Sequence, residues 1–193
     1  MLTSPLDRDE KIYESRFVDF LYVTLRDAVF KGRLHYSLIR PGLADTEIMR
    51  AVTHERMRKQ IESGAGSSGI RSELISKNHD AGEIQDAFIF FNVNMSLQKK
   101  EPIREIQRSL LGMGISASDI NRAVLLSTFM SLQKDHNKEE TIKLLLKKGW
   151  RRKEVKRAFL YSFLRNALIE ADVEETFDRE DVLSMVKDLK RIV

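Results

Sequence analysis

The chain has 193 residues, 42% of them hydrophobic, which suits one domain or one continuous array of small units with a core large enough to stand without staples. The absence of Cys excludes a disulfide framework, thiol catalysis and Cys-based zinc or iron–sulfur sites. A net charge of +4 is too small to declare a nucleic-acid protein and too large to exclude one, and neither a secretory signal nor an apolar run of membrane-spanning length is present, so a soluble, cytoplasmic protein with no membrane contact is expected.

Residues 9–31 predict a helix whose apolar stripe is Phe17, Phe20, Leu21, Thr24, Leu25 and Ala28, placed to cap the first edge of a helical stack. From 34 to 168 the chain repeats itself. The segments LIRPGLADTEIMRAV, LISKNHDAGEIQDAF, SLLGMGISASDINRAV and LLKKGWRRKEVKRAF share four columns. These are Leu38, Leu74, Leu110 and Leu145; Gly42, Asn78, Gly114 and Gly149; Ile48, Ile84, Ile120 and Val155; and Ala51, Ala87, Ala123 and Ala158. Each column steps by 36, 36 and 35 residues.

The chemistry of the columns defines the unit. Gly and Asn are the residues that tolerate a left-handed backbone, so the second column predicts the end of a short first helix. Two residues later, Asp80 with Glu83 and Ser116 with Asp119 read as capping boxes that open a longer second helix. Its apolar positions fall at helical spacing: Ile84, Ala87, Phe88, Phe91 and Met95 in one copy, Val155, Ala158, Phe159, Ser162 and Phe163 in another. Each unit is therefore a helical hairpin of roughly 10 plus 18 residues, and a hairpin that cannot bury both faces is expected to stack on its neighbours. The Ala column is small where two helices approach. In the first copy, His54, Glu55 and Arg56 replace apolar residues of the middle copies, as expected of a terminal unit facing solvent. At the other end, Asp178 and Asp181 precede a stripe of Val182, Met185, Val186 and Leu189, which predicts a second capping helix over 178–193. No strand pattern runs for more than a few residues. The expected fold is all-α: one helical-repeat domain over 1–193, with four hairpins at 34–168 between two capping helices.

Several local patterns invite a chemical reading and find no support around them. GAGSSG at 64–69 matches G-x-G-x-x-G, but the preceding stretch reads as helix rather than strand, so a mobile connection between the first two copies is expected. His35, His54, His79 and His136 lie in separate units without further ligands at metal spacing. Ser131, Asp135 and His136 are neighbours in sequence, which is not how a nucleophilic triad is built, and read as surface residues between helices. No catalytic group, metal or cofactor is expected.

The concentrated feature is KKGWRRKEVKR at 147–157. Lys147, Lys148, Arg151, Arg152, Lys153, Lys156 and Arg157 stand against Glu154 alone, a local charge of +6 that leaves the rest of the chain at −2. These residues straddle the end of one helix and the start of the next, where free N–H groups favour an anion. Lys147 and Lys148 also suit the C-terminus of the first helix for purely structural reasons. The only Trp, Trp150, could stack on an unpaired base, although its column (Leu43, Ile115, Trp150) favours a packing role at the turn. An acidic stretch comes next at 170–181, with a net charge of −6, which reads as a solvated loop or as a competitor for the basic patch.

Residues 45–88 resemble the repeats of RecX-type regulators of recombinase filaments, through Ile70, Arg71, Glu73, Leu74, Lys77, Ile84 and Ala87; residues 140–159 look like that family's final repeat. Family repeats have three helices, whereas the period here leaves room for two. The resemblance implies action on a nucleoprotein filament. The leading expectation is a non-enzymatic helical-repeat scaffold that binds a protein partner or a second copy of itself. The alternative is a nucleic-acid or nucleoprotein-filament binder that uses Lys147, Lys148, Trp150, Arg151, Arg152, Lys153, Lys156 and Arg157.

Overall fold

In a computed structural model of the chain, residues 20–34, 36–40, 43–171, 184–188 and 191 are described. Every element among them is helical and none is a strand, so the fold is all-α. Helix α1 covers residues 20–30. After a 3-10 turn at Tyr36–Leu38 come α2 (Ala44–Glu62), α3 (Ser67–Ser76), α4 (Ala81–Gln98), α5 (Ile103–Gly112), α6 (Ala117–Leu132), α7 (Lys138–Lys147) and α8 (Arg152–Ala171). Residues 184–188 are again helical.

The short helices α3, α5 and α7 each have ten residues, and the long helices α4, α6 and α8 have 18, 16 and 20. The turn column explains the break between short and long. Asn78, Gly114 and Gly149 have φ of 61°, 80° and 91°, the left-handed backbone that ends a helix. The next residue then seals the end: the amides of His79, Ile115 and Trp150 donate to the carbonyls of Leu74, Leu110 and Leu145 at 3.1, 3.1 and 3.2 Å. The acceptors are the Leu column itself. Every residue of the Leu, Ile/Val and Ala columns is buried, from Leu38, Ile48 and Ala51 to Leu145, Val155 and Ala158. The residues that set the period are thus also the residues that fill the core.

The chain divides into two compact units, Met1–Val52 with Phe163–Val193, and Thr53–Ser162. In the first, Leu21, Leu25 and Ala28 of α1 are buried, as the predicted stripe requires, and so are Leu164, Leu168, Met185 and Val186. In the second, α4 packs against α6, α3 against α4, α5 against both long helices, and α7 against α6. Met57, Ile70, Leu74, Ile84 and Ala87 form one cluster there, with Ala65, Phe88 and Phe91 against it.

Four expectations are corrected. Among the described residues the first copy has no ten-residue first helix: α1 ends at a left-handed Gly32 (φ 66°), and Pro41 disfavours helical backbone at Arg40, so the described residues between them hold only the 3-10 turn. GAGSSG is not a loop along its whole length: it holds the turn after α2 and the first residues of α3. Gly64 has φ of 81°, the Ala65 amide donates to the Gln60 carbonyl at 3.0 Å, and Gly66 is the N-cap of α3. His54 and Glu55 do not face solvent; both are fully buried, because each finds polar partners inside. Finally, Asp80 and Glu83 make the reciprocal capping box, whereas Ser116 accepts the Asp119 amide at 3.1 Å without the return bond. Asp119 is one methylene shorter than Glu83 and takes the Ser116 hydroxyl instead, at 2.7 Å. Phe17, His35, Gly42, Asp178, Asp181, Val182, Leu189 and most of the acidic stretch lie outside the described residues.

Lys100 shares the left-handed backbone (φ 61°) without the freedom of Gly. Gly114→Ala, which meets no neighbouring atom, is expected to cost about 1–2 kcal/mol from conformation alone. Lys100→Gly is expected to gain up to about 1 kcal/mol, less what glycine adds to unfolded-chain entropy. Denaturant midpoints moving in opposite directions check this; a shared direction contradicts the left-handed assignment.

Candidate nucleic-acid interface

The α7–α8 hairpin carries the basic residues. Helix α7 opens with a capping box that the repeat columns do not reveal: the Asn137 side chain accepts the Glu140 amide at 3.0 Å, and Glu140 accepts the Asn137 amide at 3.2 Å. With Glu139 and Glu140 in its first turn and Lys147 in its last, α7 has its charges in the order its dipole favours. Lys147 and Lys148 therefore have a structural use.

The cations of α8 do not. Arg151 stands where Asp80 and Ser116 stand in the two preceding hairpins, and there the side chain accepts an amide of the first helical turn. A guanidinium only donates, so that cap is lost. Arg152 and Lys153 replace Ala81 and Gly82, or Ala117 and Ser118, and Lys156 replaces Gln85 or Asn121. Positive charge in the first turn of a helix opposes the dipole. The single acid, Glu154, accepts the Arg151 amide at 3.1 Å and is thereby drawn to the backbone.

Arg157 shows why the charge stays unpaired. Its counterpart Arg122 binds Asp86, one repeat earlier in the same column, at 3.0 Å, and Asp119 at 2.9 Å. One repeat before Arg157 stands Arg122, a second cation. All seven basic residues of 147–157 are exposed, and none makes an ion pair with a described residue. Trp150 is half-buried, and its amide seals the α7 turn. The structure therefore brings the predicted cations together around one turn and gives Trp150 its place in the turn.

A buried polar line, also within Thr53–Ser162, is a feature that sequence reasoning missed. His54, Phe90, Leu126 and Tyr161 form a further repeat column. The His54 ring stacks on Phe90 at 4.5 Å, and its Nδ1 lies 2.8 Å from the Tyr161 hydroxyl. Its Nε2 is 3.3 Å from Asp86 Oδ2, and the other Asp86 oxygen accepts from Arg122. The His54 and Tyr161 rings are fully buried, and the line fastens α2, α4, α6 and α8 within this unit. Glu55 is held likewise by Arg58, whose Nε donates to both carboxylate oxygens at 3.0 and 2.9 Å; these bonds, with Glu62, push the Arg58 pKa up. His79 Nε2 lies 2.7 Å from the Arg56 guanidinium, and its Nδ1 lies 2.7 Å from Thr53 Oγ1. A polar residue in an otherwise apolar or aromatic column was the available signal.

Among the described residues, no three His, Asp or Glu side chains converge as a metal site, and Ser131, Asp135 and His136 are exposed. No helix among them is long and apolar enough to cross a membrane. Comparison with family models, curated proteins and solved structures finds no match.

Arg151→Asp restores the missing cap and is expected to raise stability by about 1 kcal/mol, read from the denaturant midpoint. A lower midpoint would show that Arg151 serves the fold. Tyr161→Phe removes the hydroxyl that meets buried His54 and is expected to cost about 1–3 kcal/mol, with helicity by circular dichroism unchanged at low temperature.

Proposed function

We propose that the chain is a non-enzymatic, cytoplasmic helical-repeat scaffold, its hairpins stacked into one array, that binds nucleic acid or a nucleoprotein filament through the α7–α8 patch. One observation carries this reading: Arg151, Arg152, Lys153, Lys156 and Arg157 occupy positions that the preceding hairpins fill mainly with neutral or acidic residues, they make no ion pair with a described residue, and the first three stand at a helix start where positive charge opposes the dipole. A polyanion supplies the missing counter-charge. The packing of α4 against α6 and the buried columns support the stacked arrangement.

A second reading, a protein partner or a second copy of the chain, is favoured by a different observation. Ile75 and Leu111 are equivalent positions one repeat apart, and they are 58% and 49% exposed; Met113, beside the second, is 71% exposed. In the Leu column the neighbouring side chains are buried, so these apolar groups are surplus to the core.

For the leading reading, binding to labelled DNA or RNA is expected at ~50 mM salt and is expected to weaken by about two orders of magnitude at ~200 mM. Neutralising Arg151, Arg152 and Lys153 together is expected to abolish it. Absence of any complex at the lower salt overturns the reading. For the second, light scattering of wild type against an Ile75→Ser, Leu111→Ser double variant decides whether these side chains drive self-association.

A further inference from the structure

Resting on the nucleic-acid reading, we infer that the patch takes the phosphate backbone of a duplex, without base stacking and without sequence readout. Proteins that hold single strands combine a basic groove with open aromatic faces on which bases stack. Such faces are missing here. Among the described residues of Thr53–Ser162 no Phe, Tyr or Trp side chain is exposed. Trp150, the one ring inside the patch, is half-buried and bound into the turn through its amide. Phe159 is buried with Lys138 over its ring at 4.2 Å, and Phe88 is covered by Arg71 at 5.3 Å.

What the patch offers instead is charge held on a rigid element. Arg152, Lys153, Lys156 and Arg157 lie at i, i+1, i+4 and i+5 on α8, one outward strip, while Val155 and Ala158 point to the core. Their Cα atoms span about 7.5 Å along the helix. A duplex presents a phosphate charge about every 1.7 Å of its axis, twice the linear density of a single strand, so a fixed strip of this length meets more charge on a duplex. Asn and Gln, which read adenine edges, do not occur between 147 and 157, and Arg, which can read guanine, is here assigned to phosphate. Contacts made only by Lys and Arg to phosphate position a ligand and carry no sequence information.

The test uses the full chain and fluorescence anisotropy with two unrelated ~20-base-pair DNA duplexes, their separated strands, and one RNA duplex. Expected are tighter binding of duplex than of either strand by about fivefold or more, equal affinity for the two sequences within about twofold, and a log–log salt slope of about −4, for four to five phosphates neutralised. The RNA arm shows whether the backbone of either duplex is accepted. Arg152→Gln with Arg157→Gln is expected to weaken both sequences alike, by about tenfold or more, and Trp150→Leu to change affinity by less than about twofold. Preference for single strands, or a tenfold loss in a folded Trp150→Leu variant, overturns the duplex inference and leaves nucleic-acid binding standing. No binding of any probe at ~50 mM salt overturns both.

Discussion

A single backbone hydrogen bond, from the residue after a left-handed position to the carbonyl of the Leu column, organises each complete hairpin. It consumes an orphan carbonyl at the end of the short helix, reverses the chain within four residues, and starts the long helix at a set distance. Because the acceptor residue is itself buried, ending the helix and filling the core are one event. The Ile/Val and Ala columns then fall on the inner face of the long helix by period alone. Where the geometry is unavailable, as between Gly32 and Pro41, only a turn forms.

The same turn places the basic residues. Sealing α7 at Trp150 makes Arg151 the residue before α8 and puts Arg152 and Lys153 in its first turn. Elsewhere that position holds Asp80 or Ser116, which close the helix start from within. In the last hairpin the closure is made by Glu154 alone, and the cation is left outside. A repeat that keeps its core columns while giving up its cap has traded local stability for surface charge.

The buried polar line has the opposite character. His54, Asp86, Arg122 and Tyr161 answer one another inside Thr53–Ser162, and their charges and hydroxyls are spent on holding helices together. Asp86 and Arg122 share one column, so the ion pair between them joins one repeat to the next. In the last hairpin the column continues as Arg157, which makes no ion pair with a described residue. The interior lock and the exposed patch are therefore two ends of one column, satisfied in the middle and unsatisfied at the last hairpin.

Much of this was legible in the sequence. Period, hairpin lengths, the left-handed turns, the apolar columns and the cations of 147–157 all follow from local rules, because helix ends, caps and 3.6-residue spacing depend on residues a few positions apart. What the sequence misread were residues whose state depends on a distant partner. His54 and Glu55 look like solvent-facing residues until Tyr161, Asp86 and Arg58 are seen around them; GAGSSG looks like a tether until Gly64 and Gly66 are seen ending one helix and starting another. By itself the sequence determined where helices stop and which faces are apolar, since those are set by backbone sterics and spacing. Only the tertiary structure decided which polar groups are satisfied inside and which cations make no ion pair with a described residue, because pairing is settled by neighbours 36 and 107 residues away.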